Sequence, residues 1–387
     1  MGRNISRLMA WLERRSGWLL GLGLAAAVWV NARQWRLDRQ AAQRLNEASE
    51  ATTPLRPPTE ALPRVSLLIP AWNEAEHLEA CLRSVLALRY PNKEAVVCAG
   101  GEDGTLYIAR RFIGPGVTVM EQLSGEGKQP ALQRCFEHSS GEIIFLTDAD
   151  CRLEDDCFER TLAPIVNGLE VATTGSRRPF EDQQNQALVA FQWADHLYQE
   201  GHLPDYIHAL FGINAAIRRD VLEKAGAFTA QAAIGTDLHL AHRLMAFGYR
   251  IRYVRDSRVY TDYLSDPSAY IRQQSRWFRN RFLYGLRDRA WGDVLSHLRA
   301  GLAAVFMLGA PLAGGLGSRL LWRLWIAAAS HLALSQVRLA CYAHLSGALH
   351  IKPFWRYFSF IPYMVVGWVA IANGLLESLI PMKREKW

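Results

Sequence analysis

The segment Ile143-Ile144-Phe145-Leu146-Thr147-Asp148-Ala149-Asp150 joins a run of large apolar residues to two acids. Four apolar residues in a row are typical of a strand that is covered on both faces, as in a parallel sheet. The carboxyl end of such a strand is where α/β sheets hold ligands. Because the acids are two residues apart, an extended chain would place both carboxylates on one face. The segment therefore predicts a buried strand whose exposed end carries Asp148 and Asp150.

The two acids at the end of this strand have two interpretations. Neighbouring carboxylates repel each other unless a cation or hydrogen-bond donors lie between them. Carboxylate oxygens suit Mg²⁺ or Mn²⁺, and substrate phosphates commonly complete the coordination of these ions. A solvated turn could carry the same Asp148-Ala149-Asp150 sequence. From this pattern alone, a metal site and a surface turn remain alternatives.

Strands and helices alternate on both sides of this segment. Helices are predicted from about residue 75 to Leu88 and at 131–138, and each lies between apolar runs that resemble strands. This alternation is typical of an α/β fold with a doubly wound, mostly parallel sheet. The predicted strands lie at 65–70, 95–99, 117–120 and 143–146, and further helices are predicted at 186–199, 219–225 and 237–247.

The amino-acid composition limits the class of protein but does not identify its binding partner. The 387 residues are half apolar, so the chain can bury a large core. The net charge of +7 would suit nucleic acid, an anionic membrane or a phosphorylated substrate. The six cysteines form no Cys-x-x-Cys pair and show no zinc-finger spacing, which indicates reduced thiols in a cytosolic domain.

Apolar segments near both ends of the chain indicate membrane insertion. The first is at the lower length limit for a span, and its Val30-Asn31-Ala32 sequence would also suit cleavage of a signal peptide. The segment 324–351 contains Arg338 and is either a span or a helix pair in the interface. We therefore expect a multi-pass protein of the cell membrane with a cytosolic catalytic domain and three spans, two of them late in the chain. The apolar segments are 16–32, 300–318, 324–351 and 357–376.

The polarity of the remaining sequence divides the chain into five parts. A polar stretch that ends in prolines predicts a helical stalk followed by an extended linker. Between residues 268 and 289, basic and aromatic residues are distributed as in helices that lie on anionic membranes. The expected parts are an N-terminal membrane segment (1–33), a stalk and linker (34–63), a doubly wound domain (64–266), an interface helix (267–299) and a C-terminal membrane region (300–387).

Five motifs in a fixed order resemble the family-2 glycosyltransferases. This group has the GT-A fold and includes the membrane synthases of cellulose, hyaluronan and poly-N-acetylglucosamine, and ceramide glucosyltransferase. The resemblance runs from about Val65 to Gly285, and its most specific part is the Gln-x-x-Arg-Trp element. The motifs are Pro70-Ala71-Trp72-Asn73-Glu74, Gly127-Lys128, Asp148-Ala149-Asp150, Gly235-Thr236-Asp237-Leu238 and Gln273-Gln274-Ser275-Arg276-Trp277.

The resemblance implies a role for each motif. Asp237 would be the base that takes the proton of the acceptor hydroxyl, although an ordinary acid in the first turn of a helix would look the same. Asp148 and Asp150 would hold Mg²⁺ or Mn²⁺. Arg276 and Trp277 could instead be interfacial anchors. The resemblance places the donor against Asn73, Glu74, Asp103, Lys128 and Asp148, and the diphosphate or acceptor against Gln273, Arg276 and Trp277.

Two features of the sequence depart from the family pattern. Many relatives have acids at the end of the second strand, where this chain has Cys98 and Ala99, so the nucleotide is not identified. The usual glutamate before the catalytic aspartate is Thr236. The segment Phe211-Gly212-Ile213-Asn214 resembles the acceptor-side loop of the family, and a tight turn could have the same sequence.

The resemblance therefore implies a membrane-bound, inverting glycosyltransferase with a nucleotide-diphosphate sugar as donor and a polysaccharide or lipid as acceptor. No nucleic-acid partner is expected. Two other interpretations remain open. One is a catalytically silent subunit that anchors or regulates a partner synthase, which the missing acids at Cys98 and Ala99 would favour. The other is a nucleotidyltransferase, which would share the sheet and the acids but gives no reason for the membrane segments.

Overall fold

The computed structural model describes residues 2–50, 61–229, 235–287, 289–315, 318–346, 358 and 360–380. The chain divides into two compact units, which we call the sheet unit and the helical unit. The sheet unit comprises Leu45–Asp182 and Glu200–Tyr263, together with the terminal Lys383–Trp387, which lies outside the described residues. The helical unit comprises Met1–Arg44, Gln183–Gln199 and Leu264–Met382.

One mixed sheet forms the centre of the sheet unit. Its strands are β1 (Val65–Trp72), β2 (Lys93–Gly100), β3 (Val117–Glu121), β4 (Ile143–Leu146), β5 (Cys151–Arg152), β6 (Ala172–Pro179), β7 (Tyr206–Ile207), β8 (Ala215–Arg218) and β9 (Ile251–Thr261). In the described residues their order is β3-β2-β1-β4-β8-β6-β9-β5, and β7 pairs with β9. Six of these nine strands run in one direction, and β5, β7 and β8 run in the other. The predicted α/β fold with a mostly parallel sheet is confirmed.

Helices follow most of the strands and also build the helical unit. In chain order they are α1 (Gly2–Glu50), α2 (Leu78–Ala87), α3 (Thr105–Arg110), α4 (Lys128–Glu137), α5 (Asp155–Val166), α6 (Ala187–His202), α7 (Arg219–Lys224), α8 (Thr236–Ala246), α9 (Pro267–Arg287), α10 (Trp291–Gly315), α11 (Arg319–Leu345) and α12 (Phe360–Leu379).

The central strand β1 shows that the sheet is covered on both faces. Leu67 belongs to the apolar cluster that contains Phe158 of α5, whereas the next residue, Leu68, belongs to the cluster that contains Leu132 of α4. Successive residues of a strand point to opposite faces, so each face of β1 has its own helical cover. This double burial explains the continuous apolar run in β4 that the sequence shows.

The helical unit contains the apolar helices. By length and composition, three helices in the described part of the chain could cross a membrane: Trp291–Leu312, Arg319–Leu345 and Phe360–Leu379. All three lie late in the chain, where two spans are expected, and the number of helices that cross the membrane stays a prediction. The segment around Arg338 is one unbroken helix, α11, and not a pair of interfacial helices.

The predicted N-terminal membrane segment and stalk form one helix. The α1 helix runs from Gly2 to Glu50 and does not break at the expected boundary near residue 33. Residues 51–60, most of the predicted extended linker, lie outside the described residues. The first predicted span is not among the helices that are apolar enough to cross a membrane by composition. Most of α1 belongs to the helical unit, in which it pairs with α11.

Polar side chains join α1 to α11 at several points along their length. Ser16 accepts a hydrogen bond from Arg323, and Asn31 lies 3.0 Å from Nδ1 of His331. Asp38, which is only 1% exposed, forms an ion pair with Arg338. Contact positions rise together in both helices, so α1 and α11 run parallel. If both helices are embedded, their amino ends must therefore lie on the same side of the membrane.

The α9 helix, expected to lie on a membrane surface, packs against other helices of its own unit. Ser275 Oγ donates to the carbonyl oxygen of Ala370 in α12 at 2.8 Å. A Cβ at Gly374 of α12 would lie 3.0 Å from the Phe278 ring. Phe278 and Phe282 are each 8% exposed. The apolar side of α9 is thus covered by protein, and contact of its basic side with lipid stays a prediction.

Candidate active site

The parallel strands of the sheet unit bring several predicted site residues to one edge. In the order β2-β1-β4, the strands are in parallel register, with Val65 opposite both Lys93 and Ile143. Their carboxyl ends therefore meet at the same edge of the sheet. The residues that follow these strands are Asn73 and Glu74 after β1, Asp103 after β2, and Asp148 and Asp150 after β4.

Lys128 connects this edge to a second element of the site. It is the first residue of α4, and its Nζ lies 2.7 Å from Oδ1 and 2.9 Å from Oδ2 of Asp148. Burial alone would lower the pKa of Lys128, but Asp148, followed by Asp237, raises it above its ordinary value. Lys128 is therefore a permanent cation that contacts Asp148 and interacts electrostatically with Asp237.

The acids of this edge perturb one another. Burial, and then the charge of Asp148, raise the pKa of Asp150 to about 6. Burial raises the pKa of Glu74 to about 7, with further contributions from Asp150 and Asp148. Groups with such shifts cluster at functional sites because charge is concentrated there before a ligand arrives.

The acid cluster fits a divalent cation. An ion held by Asp148 and Asp150 would offset the repulsion that raises the pKa of Asp150. In the described part of the chain, no three His, Cys, Asp or Glu side chains form a ready-made metal site. The protein would thus supply two carboxylates, and substrate phosphates and water would supply the remaining ligands, as is usual for Mg²⁺.

Asp237 interacts electrostatically with both Lys128 and Asp148. It stands in the first turn of α8, whose N-cap is Gly235, and its Oδ2 accepts a 3.3 Å hydrogen bond from the backbone N–H of Gly212. Burial raises the pKa of Asp237, while Lys128 lowers it and Asp148 adds to the rise. A carboxylate with a raised pKa is a stronger base, which suits the role predicted for it.

A side chain at position 212 would clash with Asp237, which explains why this residue is a glycine. A Cβ at this residue would lie 2.5 Å from Oδ1 of Asp237. Gly212 belongs to a tight turn in which the Asn214 N–H donates to the Phe211 carbonyl at 2.9 Å. The side chain of Asn214 is fully buried and bound to Thr161 and Ser257. The turn thus fixes the backbone against Asp237, a contact that the sequence motif did not reveal.

Asn73 and Asp103 shape the rim of the site. Asn73 has a positive φ of 56°, and its Oδ1 accepts from the N–H of Glu102 at 2.8 Å. Asp103 accepts hydrogen bonds from the N–H groups of Ala75 and Thr105. Both side chains tie the loop after β1 to the loop after β2. Their predicted contact with the nucleotide stays a prediction.

Cys98 and Ala99, which stand where many relatives have acids, lie in the hydrophobic core. Both residues are 0% exposed, and Cys98 packs in the apolar cluster with Leu132 and Cys135 of α4. An acid at position 98 would be buried among apolar groups. The missing acids are therefore no sign that the acid cluster at the edge of the sheet has been lost.

The Gln-x-x-Arg-Trp element belongs to the helical unit. Gln273, Arg276 and Trp277 lie in α9, which packs against α12 through Ser275 and Phe278. Their predicted place at the diphosphate or acceptor end of the site stays a prediction.

Sequence comparison identifies relatives for the sheet unit and for α9. Residues 63–280 match the family described as Glycosyltransferase like family 2. Glycosyltransferase AglE of Haloferax volcanii is 29% identical over 206 residues, which cover 51% of this chain and 66% of the relative. The probable glucomannan 4-beta-mannosyltransferase 11 of Oryza sativa subsp. japonica is 26% identical over 236 residues, covering 56% of this chain and 41% of the relative. The matching region thus spans less than two thirds of either relative.

Structural comparison extends over nearly the whole chain. The mannosyltransferase PcManGT from Pyrobaculum calidifontis, solved in complex with GDP-Man and Mn²⁺, superposes with a TM-score of 0.53. The match covers 93% of this chain and 99% of that one at 19% sequence identity. At this identity the match shows a shared fold, in agreement with the GT-A-like architecture that the sequence predicts.

Proposed function

The chain belongs to glycosyltransferase family 2, and from that membership we propose that it is a membrane-bound, metal-dependent, inverting glycosyltransferase. It transfers a sugar from a nucleoside-diphosphate donor to the hydroxyl of a polysaccharide or lipid acceptor. The observation that carries the proposal is the convergence of Asp148, Lys128 and Asp237, which lie far apart in sequence and interact in the folded sheet unit. A base, a cation and a metal-binding acid are the groups that this reaction needs.

Each residue has a part in the reaction. Asp237 takes the proton of the acceptor hydroxyl while that oxygen forms its bond to the anomeric carbon. The bond from this carbon to the phosphate oxygen breaks on the opposite face, so the configuration inverts. Lys128 places a positive charge where the departing diphosphate gains negative charge. A divalent ion held by Asp148 and Asp150 would add Lewis-acid stabilisation of the same charge.

GDP-mannose is the first donor to test. The structural neighbour was solved with GDP-Man, and the rice relative is named as a mannosyltransferase. The rice relative is also named for glucomannan, which favours a glycan as the acceptor. A lipid acceptor is the second choice, and a panel of other nucleotide sugars belongs to the same experiment.

The proposal also places the protein in the cell membrane with the sheet unit on the cytosolic side. Three helices in the described residues are long and apolar enough to cross a bilayer, and nucleotide sugars are charged donors that do not cross it unaided. Protease digestion of intact and permeabilised cells checks the sidedness. Cleavage of the sheet unit in intact cells would contradict it.

Release of nucleoside diphosphate by the detergent-solubilised full chain tests the activity. Wild type is expected to release it only with Mg²⁺ or Mn²⁺, and Asp237→Asn is expected to lose about 10²–10⁴-fold in rate. Asp220→Asn is the matched control, because Asp220 is also a first-turn acid, in α7, and is ion-paired to Arg218 instead of lying in the site.

The outcomes separate the alternatives. No release by wild type with any donor would favour the catalytically silent subunit, and dependence on pyrophosphate would favour the nucleotidyltransferase. The configuration of the product, read by proton NMR, decides between inversion and retention. An Asp237→Asn rate equal to that of Asp220→Asn would exclude Asp237 as the base.

A further inference from the structure

Arg152 stands where the chain leaves the acid cluster. It ends the short strand β5, two residues after Asp150, and lies directly opposite Tyr260 of β9. On the other side of Tyr260, the register of β6 and β9 places Arg178. Three neighbouring strands thus carry the row Arg152, Tyr260, Arg178. Even fully extended chain spans only about 7 Å over two residues, so the backbone of Arg152 lies close to that of Asp150.

Aromatic rings hold the guanidinium of Arg152. Its Cζ lies 4.7 Å from the ring centroid of Tyr260 and 5.3 Å from that of Phe180. These two rings are nearly parallel, with an interplanar angle of 9° and centroids 6.4 Å apart. The Tyr260 ring is fixed in turn by a 3.1 Å hydrogen bond from its hydroxyl to Glu181. Contact with ring faces orients a guanidinium and leaves the N–H groups at its edge free to donate.

The two arginines beside Tyr260 differ in their partners. Arg178, whose Cζ lies 3.9 Å from the same ring, forms an ion pair with Glu154. In the described part of the chain, Arg152 has ring contacts but no carboxylate and no other hydrogen-bond acceptor. A guanidinium carries five donors and a permanent charge. Arg152 is therefore a positioned and partly exposed cation whose donors no described protein group takes up.

We propose that Arg152 is a substrate-binding residue that holds a phosphate oxyanion beside the Asp148–Asp150 site. A guanidinium fork matches two phosphate oxygens at once, which a lysine cannot do. The inference rests on the proposed function, because that reaction brings phosphate to this edge of the sheet. The phosphate belongs either to the diphosphate of the donor or to a phosphate-bearing lipid acceptor, and the chemistry of recognition is the same for both.

The direct test is equilibrium binding without turnover. Binding of inorganic pyrophosphate and of GDP, each with Mn²⁺, is measured for wild type, Arg152→Met and Arg152→Lys, and a short-chain alkyl phosphate probes the acceptor source. Arg152→Met is expected to weaken one class of probe about tenfold or more, because a charged hydrogen bond is lost. Arg152→Lys is expected to fall between Met and wild type, since it keeps the charge and loses the fork.

The control is Arg83→Met. Arg83 also contacts a ring, Phe112 at 5.7 Å, but is 65% exposed and paired with Glu79 on the surface of α2. Weaker binding of pyrophosphate and GDP assigns the phosphate to the donor, whereas weaker binding of the alkyl phosphate alone assigns it to the acceptor. Unchanged binding of all three probes by Arg152→Met, or a change equal to that in Arg83→Met, overturns the proposal.

Two further outcomes keep the inference separate from the proposed function. If wild type shows no transfer with any donor, the proposed function fails, while the binding experiment still decides the role of Arg152. If Arg152→Met loses its folded structure, Arg152→Lys decides, because its aliphatic stem still covers the rings. A folded Lys variant that binds every probe as wild type does would overturn the proposal.

Discussion

Arg338 in the helical unit and the acids of the sheet unit show two ways of burying charge. Arg338 donates to Asp38, to the hydroxyl of Tyr198 at 2.8 Å and to Oδ1 of Asn31 at 3.2 Å. All of these partners belong to the helical unit. At the sheet edge, by contrast, Asp150 has only the thiol of Cys151 as a described hydrogen-bond partner, at 3.3 Å, and lies beside another acid.

The difference separates a charge whose partners all lie within the protein from charges whose proposed partners are a cation and a substrate. Arg338, which donates three hydrogen bonds within its own unit, contributes to the pairing of α1 with α11, and removing it would leave Asp38 without its ion-pair partner. An acid whose pKa is raised by burial and by a second acid destabilises the protein without a cation, and such sites are kept for function. Arg152, for which we propose a phosphate as partner, is the corresponding cation in the sheet unit.

The largest expected effect is on stability. Arg338→Ala leaves the buried Asp38 without its ion-pair partner, so we expect a loss of about 3–5 kcal/mol in the free energy of unfolding. Thermal unfolding of the protein in detergent measures it, with the exposed Arg299→Ala in α10 as control. The double variant Asp38→Ala/Arg338→Ala should recover part of the loss. Equal stability of Arg338→Ala and Arg299→Ala would show that the ion pair of Asp38 with Arg338 does not stabilise the protein.

The opposite behaviour is expected at the acid cluster. Asp150→Asn removes a metal ligand, so activity should fall about 10²-fold or more. Stability without a divalent cation should rise, because the repulsion between Asp148 and Asp150 disappears. Turnover and the unfolding temperature in the presence of a chelator are measured on the same sample. A variant that loses both activity and stability would mean that Asp150 is structural, as Asp38 is.

A smaller loss of activity is expected when Asp148 and Asp150 are left intact and only the side chain of Asp237 is displaced. Gly212→Ala places a methyl group against the Asp237 carboxylate, which must shift, and displacement of a reacting group by about 1 Å can cost up to 10²-fold in rate. We expect a fall of about tenfold or more in turnover with unchanged donor binding. Gly114→Ala is the control, since a Cβ there meets only an ordinary contact at 3.9 Å. Equal rates for the two variants would contradict the placement of Asp237.

The smallest effect is the dependence of cation binding on pH. Folded Asp150 and Glu74 hold protons up to about pH 6 and pH 7, whereas unfolded they lose them near pH 4. Without a cation, stability should therefore fall as pH rises from about 4 to 7. A cation needs the ionised acids, so Mn²⁺ should raise the unfolding temperature more at pH 7.5 than at pH 5.5, with binding roughly tenfold weaker at the lower pH. A stabilisation by Mn²⁺ that is equal at both values would argue against these acids as ligands.

The sequence predicted the strands, the fold class and the family because these depend on local patterns. The apolar run of residues 143–146 and the acids after it already specify a buried strand with a polar end, and β4 has those bounds. The order of the motifs was sufficient to recognise the family, which the match over residues 63–280 confirms. The membrane region was predicted less well, because composition does not show whether a charge such as Arg338 has a partner.

The tertiary structure alone decided which distant groups meet. Lys128 reaches Asp148 from the first turn of α4, Gly212 reaches Asp237 across 25 residues, and Arg152 contacts the rings of Tyr260 and Phe180 because β5 pairs with β9. Likewise, α1 and α11 pair across about 300 residues, as the contact of Asp38 with Arg338 shows. Hydrophobic periodicity records how a residue is buried within its own element. It does not record strand order or helix partners, because those follow from packing the whole chain at once.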